Sequence, residues 1–118
     1  MTKGSPFSQA NMEEIKKWDI WIAEVLFEDE PTKSKIRPVL ILGDDDVVCI
    51  DVAKITSHAK RDLFDLEIKD YIECGLNKES TIRLNSKIKL RKDKLHNRIG
   101  RLTNKNIIQA RIILNRRK

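Results

Sequence analysis

Arg37-Pro38 opens the apolar run Val39–Leu42, directly after a basic, proline-containing loop that carries Lys33 and Lys35. Downstream, the run Val47–Ala53 leads into Lys54, Thr56 and Ser57, and Arg83 sits inside the segment Ser80–Asn85. An arginine at the mouth of one strand, with hydroxyls at the end of the next, is an arrangement for handling phosphate. A guanidinium fork holds two phosphate oxygens at once, and a hydroxyl can donate to a third. His58 follows the hydroxyls; an imidazole of ordinary pKa near 6.5 suits proton transfer, but the residue reads more readily as an ordinary surface histidine. The bland reading of the others is also local. Thr56 and Ser57 can close a turn through hydroxyl–backbone bonds, Arg83 can face solvent from its strand, and His96 in the polar stretch Lys92–Arg98 reads as a bystander.

The totals bound what these residues can serve. With 118 residues the chain is one domain, long enough to bury a core without metals or disulfides. Twenty-four Lys and Arg against 18 Asp and Glu leave a net charge of +6, which favours a polyanionic partner such as nucleic acid. Aromatic residues make up only 5 %, too few for a broad base-stacking platform. Cys49 and Cys74 belong to no Cys-x-x-Cys or Cys/His cluster, so no metal or cofactor is expected, and free thiols suit the cytoplasm. No apolar run approaches a membrane span, and the N-terminus lacks the hydrophobic segment of a signal peptide.

The elements that must position these side chains follow from patterning. Residues 1–11 read as a flexible tail and 12–118 as a single domain, with Asn11 and Glu14 starting a helical turn over Met12–Lys17. Trp18–Phe27 is rich in β-branched and aromatic residues and predicts a first strand. Pro38 should open the second strand or sit beside it, because proline donates nothing to a ladder. Gly43–Asp46 signals a hairpin into a third strand, Val47–Ala53, ending at Thr56-Ser57. Leu63–Ile68 gives a fourth, with Phe64, Leu66 and Ile68 on one face, and Ser80–Leu84 a fifth that Ile88–Arg91 extends around a bend. Thr103 or Asn104 caps a terminal helix to Asn115, striped by Ile107, Ile108, Ile112, Ile113 and Leu114. Short strands and one terminal helix predict a mainly β fold: a small, strongly bent barrel. The helix stripe is apolar enough to bury against the sheet or a second subunit.

In this order the segments resemble the MazF/PemK (Kid-like) toxins of bacterial toxin–antitoxin pairs. The resemblance rests on Trp18–Trp21, the lysine-bearing loop into Arg37-Pro38, Ile55–Ser57, Gly75-Leu76 with Ser80–Arg83, and Ile99–Leu102. It implies an SH3-like β-barrel of the CcdB/MazF type with a C-terminal helix, forming a homodimer. It also implies a metal-independent endoribonuclease cutting single-stranded RNA, a cognate antitoxin that blocks its groove, and DNA contact only through that antitoxin. The family's arginine falls on Arg37 and its threonine on Thr56, the implied catalytic pair; Lys33, Lys35, Lys54, Ser57, Arg83 and Asn85 are the expected RNA contacts. The Kid-like branch has an Arg-x-Asp pair where this chain reads Arg83-Leu84-Asn85. Asparagine cannot accept a proton, so the Arg37/Thr56 arrangement is the one carried over.

Such cleavage uses the RNA's own 2′-hydroxyl. It requires removal of that proton, stabilisation of a phosphorane and a proton for the leaving 5′-oxygen. Arginine, with a pKa above about 12, serves the middle task and is a poor base; Thr56 would donate to a non-bridging oxygen with Ser57 as helper. No residue of the resemblance supplies the base. Two other readings stay open: a barrel of this family that binds nucleic acid without cutting it, which Asn85 favours, and a CcdB-like inhibitor of a protein target such as DNA gyrase, which the Arg37/Thr56 pair disfavours.

Overall fold

The computed structural model of the chain describes residues 15–26, 34–43 and 46–116. The expected tail, the first half of the helical turn expected at 12–17, and Lys33 lie outside these residues; Ile15 to Lys17 are not helical. Six strands form, β1 (Asp19–Leu26), β2 (Ser34–Gly43), β3 (Cys49–Thr56), β4 (Asp65–Ile68), β5 (Ser80–Arg91) and β6 (Leu95–Arg101), followed by the helix α1 (Asn104–Arg116). They build one antiparallel sheet in the order β4-β5-β3-β2-β1-β6. The predicted mainly β fold with a terminal helix is what forms. Among the described residues no pairing joins β4 to β6, so the barrel-like sheet keeps two edges.

Alternation along the strands divides the apolar residues into two cores. Ile20, Leu40, Leu42, Ala53, Ile55, Leu66 and Ile82 point to the face covered by α1. Trp21, Ala23, Val25, Val39, Ile41, Ile50 and Val52 point the other way, into the concave side of the bent sheet. β5 serves both. Its pairing with β3 jumps from Lys54↔Arg83 to Ala53↔Lys87. The strand bends there, so Ile82 and Leu84 enter the helix-side core while Leu90 and Ile88 pack in the concave one. The bend expected between Leu84 and Ile88 is this feature.

Three expectations change. Pro38 lies inside β2, not at its mouth, paired with Ile22 of β1. The recorded β2–β3 pairs begin only at Val39↔Lys54, so the missing N–H falls where that ladder has ended. The fourth strand buries more than its predicted apolar face of Phe64, Leu66 and Ile68, because Asp65 is wholly buried as well. The polar stretch Lys92–Arg98 holds a short 3-10 turn, Lys92–Lys94, and the start of β6. That edge strand carries no apolar alternation: only Leu95 is buried, and Asn97, Arg98 and Arg101 are exposed. Besides its backbone ladder with β1, it is tied there by charge: the buried carboxylate of Asp19 meets Arg98 Nε at 3.3 Å and Arg101 at 3.2 Å.

The helix is anchored at its start. Ile107, Ala110 and Ile113 enter the core, whereas Ile108 and Ile112 stay 58 % and 43 % exposed, so the apolar stripe is only partly used within one chain. Gly75 and Gly100 let the loop before β5 lie directly on β6. A Cβ on either would overlap a backbone carbonyl of the other segment, and Gly75 also has a φ of 89°. Beside this contact Asp70 receives hydrogen bonds from Thr103 Oγ1 at 2.8 Å and Asn106 Nδ2 at 2.7 Å, tying the loop to the first turn of α1. Burial pushes the thiol of neighbouring Cys74 up, away from its reactive form.

Partial burial raises the Asp70 carboxyl, but the bonds from Asn106 and Thr103 outweigh it and hold the group below the ordinary carboxylate range. Its stabilising contribution is therefore complete above the unfolded value near 4 and is lost as pH falls through the lower folded value. Asp70→Asn should be less stable than wild type at pH 7, and the gap should narrow on acidification below about pH 4. Urea unfolding of both proteins across that range checks it, and a gap independent of pH would show that the carboxylate charge is not what matters.

Candidate functional site

Rows of paired residues build the site across the sheet. One row runs Asp65, Arg83, Lys54, Val39 and Trp21 from β4 to β1. The next runs Glu67, Thr81 and Thr56, and the same register continued past Val39↔Lys54 brings Arg37, paired with Ala23, level with Thr56. Cross-strand partners share a face, so Arg37, Lys54, Thr56 and Arg83 all project to the concave side. They line a pocket of about 180 Å³ together with His58, Val25 and Leu26. A larger groove of about 540 Å³ adjoins it at Val25, Leu26 and Lys54 and continues past Ile88, Lys89, Leu90, Arg91 and Lys94.

A buried carboxylate fixes the geometry of one wall. Arg83 donates to Asp65 Oδ2 in a pair whose acid is completely buried, and also reaches Ala59 O at 3.5 Å. The same Oδ2 accepts the backbone N–H of Arg61 at 2.8 Å and its Nε at 3.4 Å. Leu84 N donates to Phe64 O at 3.1 Å, closing the loop of residues 57–64 onto β5 where the strand bends. Thr56 Oγ1 accepts the backbone N–H of His58 at 3.2 Å and lies 3.3 Å from its Nδ1. The arrangement gathers three cationic side chains and one hydroxyl around one space, groups of the kind that bind phosphate oxygens.

Of the residues singled out from the sequence, Arg37, Thr56, Lys54 and Arg83 come together. Arg83 is not the solvent-facing strand residue of the bland reading but is 9 % exposed and locked to Asp65. Ser57 turns away and lines a neighbouring hollow of about 170 Å³ with Glu67, Lys69, Glu79, Ser80 and Thr81. Lys35 is exposed on β2 outside the pocket lining, and Asn85 is exposed on the stretch of β5 between Arg83 and Lys87. His96 lies on β6, away from the pocket, whereas His58 stands in it. Asp65 was missed; an acidic residue followed by Leu66 and Ile68 looks like a solvent-side position, and only its pairing with Arg83 identifies it. Among the described residues no group of three or more His, Cys, Asp or Glu could hold a metal ion, and no helix is long and apolar enough to cross a membrane.

Comparison with known proteins decides the lineage. A family model described as the PemK-like, MazF-like toxin of type II toxin–antitoxin systems matches residues 16–116. The chain belongs to this family. Its fold is similar to that of the Mycobacterium tuberculosis toxin MazF-mt6, with a TM-score of 0.64 at 20 % identity over 81 % of this chain and 93 % of that one. It is also similar to a mycobacterial endoribonuclease in complex with its cognate antitoxin, with a TM-score of 0.70 at 11 % identity over 86 % of this chain and 92 % of that one. A search of curated protein sequences finds no significant match. Within this PemK/MazF-like chain, Gly75-Leu76 and Ile99–Leu102, two segments that carried the resemblance, are the pair that meets at the glycine contact.

Removing the Asp65 charge should leave the Arg83 cation buried without its counterion. Asp65→Asn should therefore lose about 3 kcal/mol of stability, the low end for breaking a buried ion pair. Urea unfolding reads the loss as a lower midpoint at unchanged slope. A loss below about 1 kcal/mol would mean that the pair behaves as a surface salt bridge.

Proposed function

We propose that this toxin-family chain is an endoribonuclease that cuts single-stranded RNA without a metal, by way of the RNA's own 2′-hydroxyl, and that a cognate antitoxin occupies its groove. The observation that carries the reading is a single pocket lined by Arg37, Lys54, Thr56 and Arg83 on one sheet face. Family membership and neighbours named as a MazF toxin and an antitoxin-bound endoribonuclease support it.

The chemistry follows from the residue types. As the 2′-oxygen attacks phosphorus, negative charge grows on the non-bridging oxygens. Arg37 offers two parallel N–H donors to them, and Thr56 offers one hydroxyl. Arg83, held by Asp65, contributes a cation that need not reorganise. The adjoining groove, with Val25, Leu26, Ile88 and Leu90 beside Lys54, Lys89, Arg91 and Lys94, suits a strand whose backbone is anionic and whose bases are apolar on their faces. A duplex would be a poor substrate, because its 2′-hydroxyl is not free to align with the leaving oxygen. Binding without cutting is the second reading, and Asn85 favours it: this exposed side chain stands where the Kid-like branch has a carboxylate. The protein would act in the cytoplasm, as a homodimer; sedimentation equilibrium returning only monomer at micromolar concentration would remove the dimer.

Purified protein incubated with mixed-sequence RNA in EDTA should yield fragments with 2′,3′-cyclic phosphate and 5′-hydroxyl ends. Arg37→Ala should slow cleavage about 100-fold or more, the loss typical of one oxyanion donor. Arg37→Lys should recover little of it, because the charge survives without the fork. Thr56→Ala should cost less than Arg37→Ala, and Thr56→Ser should stay largely active. Wild-type rates in a folded Arg37→Ala, or cleavage that vanishes when metal is chelated, would sink the mechanism.

The affinity for single-stranded RNA should fall with salt. Each phosphate neutralised by a basic side chain contributes a slope of about 0.7 in log affinity against log salt. Substituting Lys54 should lower that slope by about one such increment across all sequences alike. A flat salt response would mean that the basic face is not where RNA binds.

A further inference from the structure

We infer that His58 is the general base of the proposed cleavage, with Thr56 selecting the tautomer that makes it one. This deepens the ribonuclease reading and rests on it. Three observations carry the inference: His58 lines the pocket beside Arg37, Lys54 and Arg83, its Nδ1 lies 3.3 Å from Thr56 Oγ1, and its backbone N–H donates to that same oxygen at 3.2 Å.

The hydrogen-bond arithmetic of the hydroxyl has room for an imidazole that donates through Nδ1. Thr56 Oγ1 has two acceptor positions and one proton to give. One acceptor position is taken by the His58 backbone N–H. If the ring donates its Nδ1–H to the second, the threonine proton is left for a phosphate oxygen and Nε2 keeps its lone pair. The opposite choice, Thr56 donating to Nδ1, would spend both groups on each other. A hydrogen bond on one ring nitrogen setting the state of the other is the usual way histidine is prepared for proton transfer.

Elimination among the neighbours points to the same residue. Arginine and lysine are protonated at neutral pH and have no lone pair to offer, which removes Arg37, Lys54 and Arg83. Asp65 is wholly buried behind Arg83 and engaged by it. Glu67 and Glu79, with Lys69, flank the other side of His58 in the neighbouring hollow and do not line the phosphate pocket. Lys60, Arg61 and Asp62 share its loop and are likewise absent from the pocket lining. The loop is a firm support, pinned through Arg61 and Ala59 to Asp65 and Arg83. His58 itself is exposed, so it can exchange its proton with water after each turnover.

The step balances without further reagents. Nε2 takes the 2′-hydroxyl proton as the O2′–P bond forms. The P–O5′ bond breaks, and the leaving 5′-oxygen takes a proton from water in the open pocket. His58 then returns its proton to solvent, leaving a 2′,3′-cyclic phosphate and a 5′-hydroxyl.

The test is single-turnover cleavage of mixed-sequence single-stranded RNA in EDTA, from pH 5 to 9, with wild type, His58→Gln, His58→Ala and Arg37→Ala, each checked for folding by circular dichroism. The wild-type rate should rise with pH on the acid side and then level off. His58→Gln should lose about 100- to 1,000-fold at pH 7.5 and lose the acid limb as well. Added imidazole should restore cleavage by His58→Ala, and binding of uncleavable 2′-O-methyl RNA should be unchanged in both variants. An intact acid limb with near wild-type rates in His58→Gln or His58→Ala overturns the proposal while leaving the ribonuclease reading standing. So does a slow variant that also loses RNA binding and gains nothing from imidazole, since that is the behaviour of a structural residue. Wild-type protein that leaves the RNA intact overturns the ribonuclease reading and this proposal with it.

Discussion

The bend in β5 between Arg83 and Lys87 is the constraint on which the rest of the molecule depends. With the β3 register passing from Arg83 directly to Lys87, one strand serves both the helix-side and the concave core. A straight strand would send Ile82, Leu84, Ile88 and Leu90 to one face, because side chains alternate with period two. The concave core would then lose Ile88 and Leu90, and the groove beside Lys54 would lose its floor. Asp65 clamps the bend from outside, joining Arg83 on β5 to the backbone of Arg61.

That clamp is costly in isolation and useful in place. A fully buried carboxylate is expensive unless paired, and here one of its oxygens, Oδ1, has no partner among the described residues. The other oxygen gathers a guanidinium and a backbone N–H. The result is an arginine whose orientation is settled before any ligand arrives, which is the condition for electrostatic stabilisation without reorganisation. Asp19 plays the corresponding structural part at the far side of the sheet, where two arginines hold the edge strand β6. Two buried acids thus do, on a chain of net charge +6, what apolar patterning does elsewhere.

Residue types fixed much of the architecture from the outset. The strand patterning of Trp18–Phe27 and Val47–Ala53 and the helical spacing of apolar residues from Ile107 to Leu114 are local properties, and they appear as β1, β3 and α1 with shifted bounds. Arg37, Lys54 and Thr56 were legible for the same reason. They lie on predicted strands, although Arg37 proves to be inside β2 and not at its mouth, and the register carries them to one face. The resemblance to MazF/PemK toxins was legible in the order of short segments, two of which meet at the contact between Gly75 and Gly100.

What the sequence by itself determined, then, is the set of strands and the basic, hydroxyl-bearing residues that share a face, because period-two alternation is written in the chain. What only the tertiary structure decided are matters of partnership. β6, which shows no apolar alternation, carries two arginines that pair with Asp19 on the neighbouring strand β1. Asp65 is buried because Arg83 lies beside it on the next strand. His58 lines both the pocket and the neighbouring hollow, whereas Ser57 lines only the hollow, on a loop tied back to Asp65 and Arg83. A charged or polar residue is placed by the group that satisfies it, and that group is often far away in the chain.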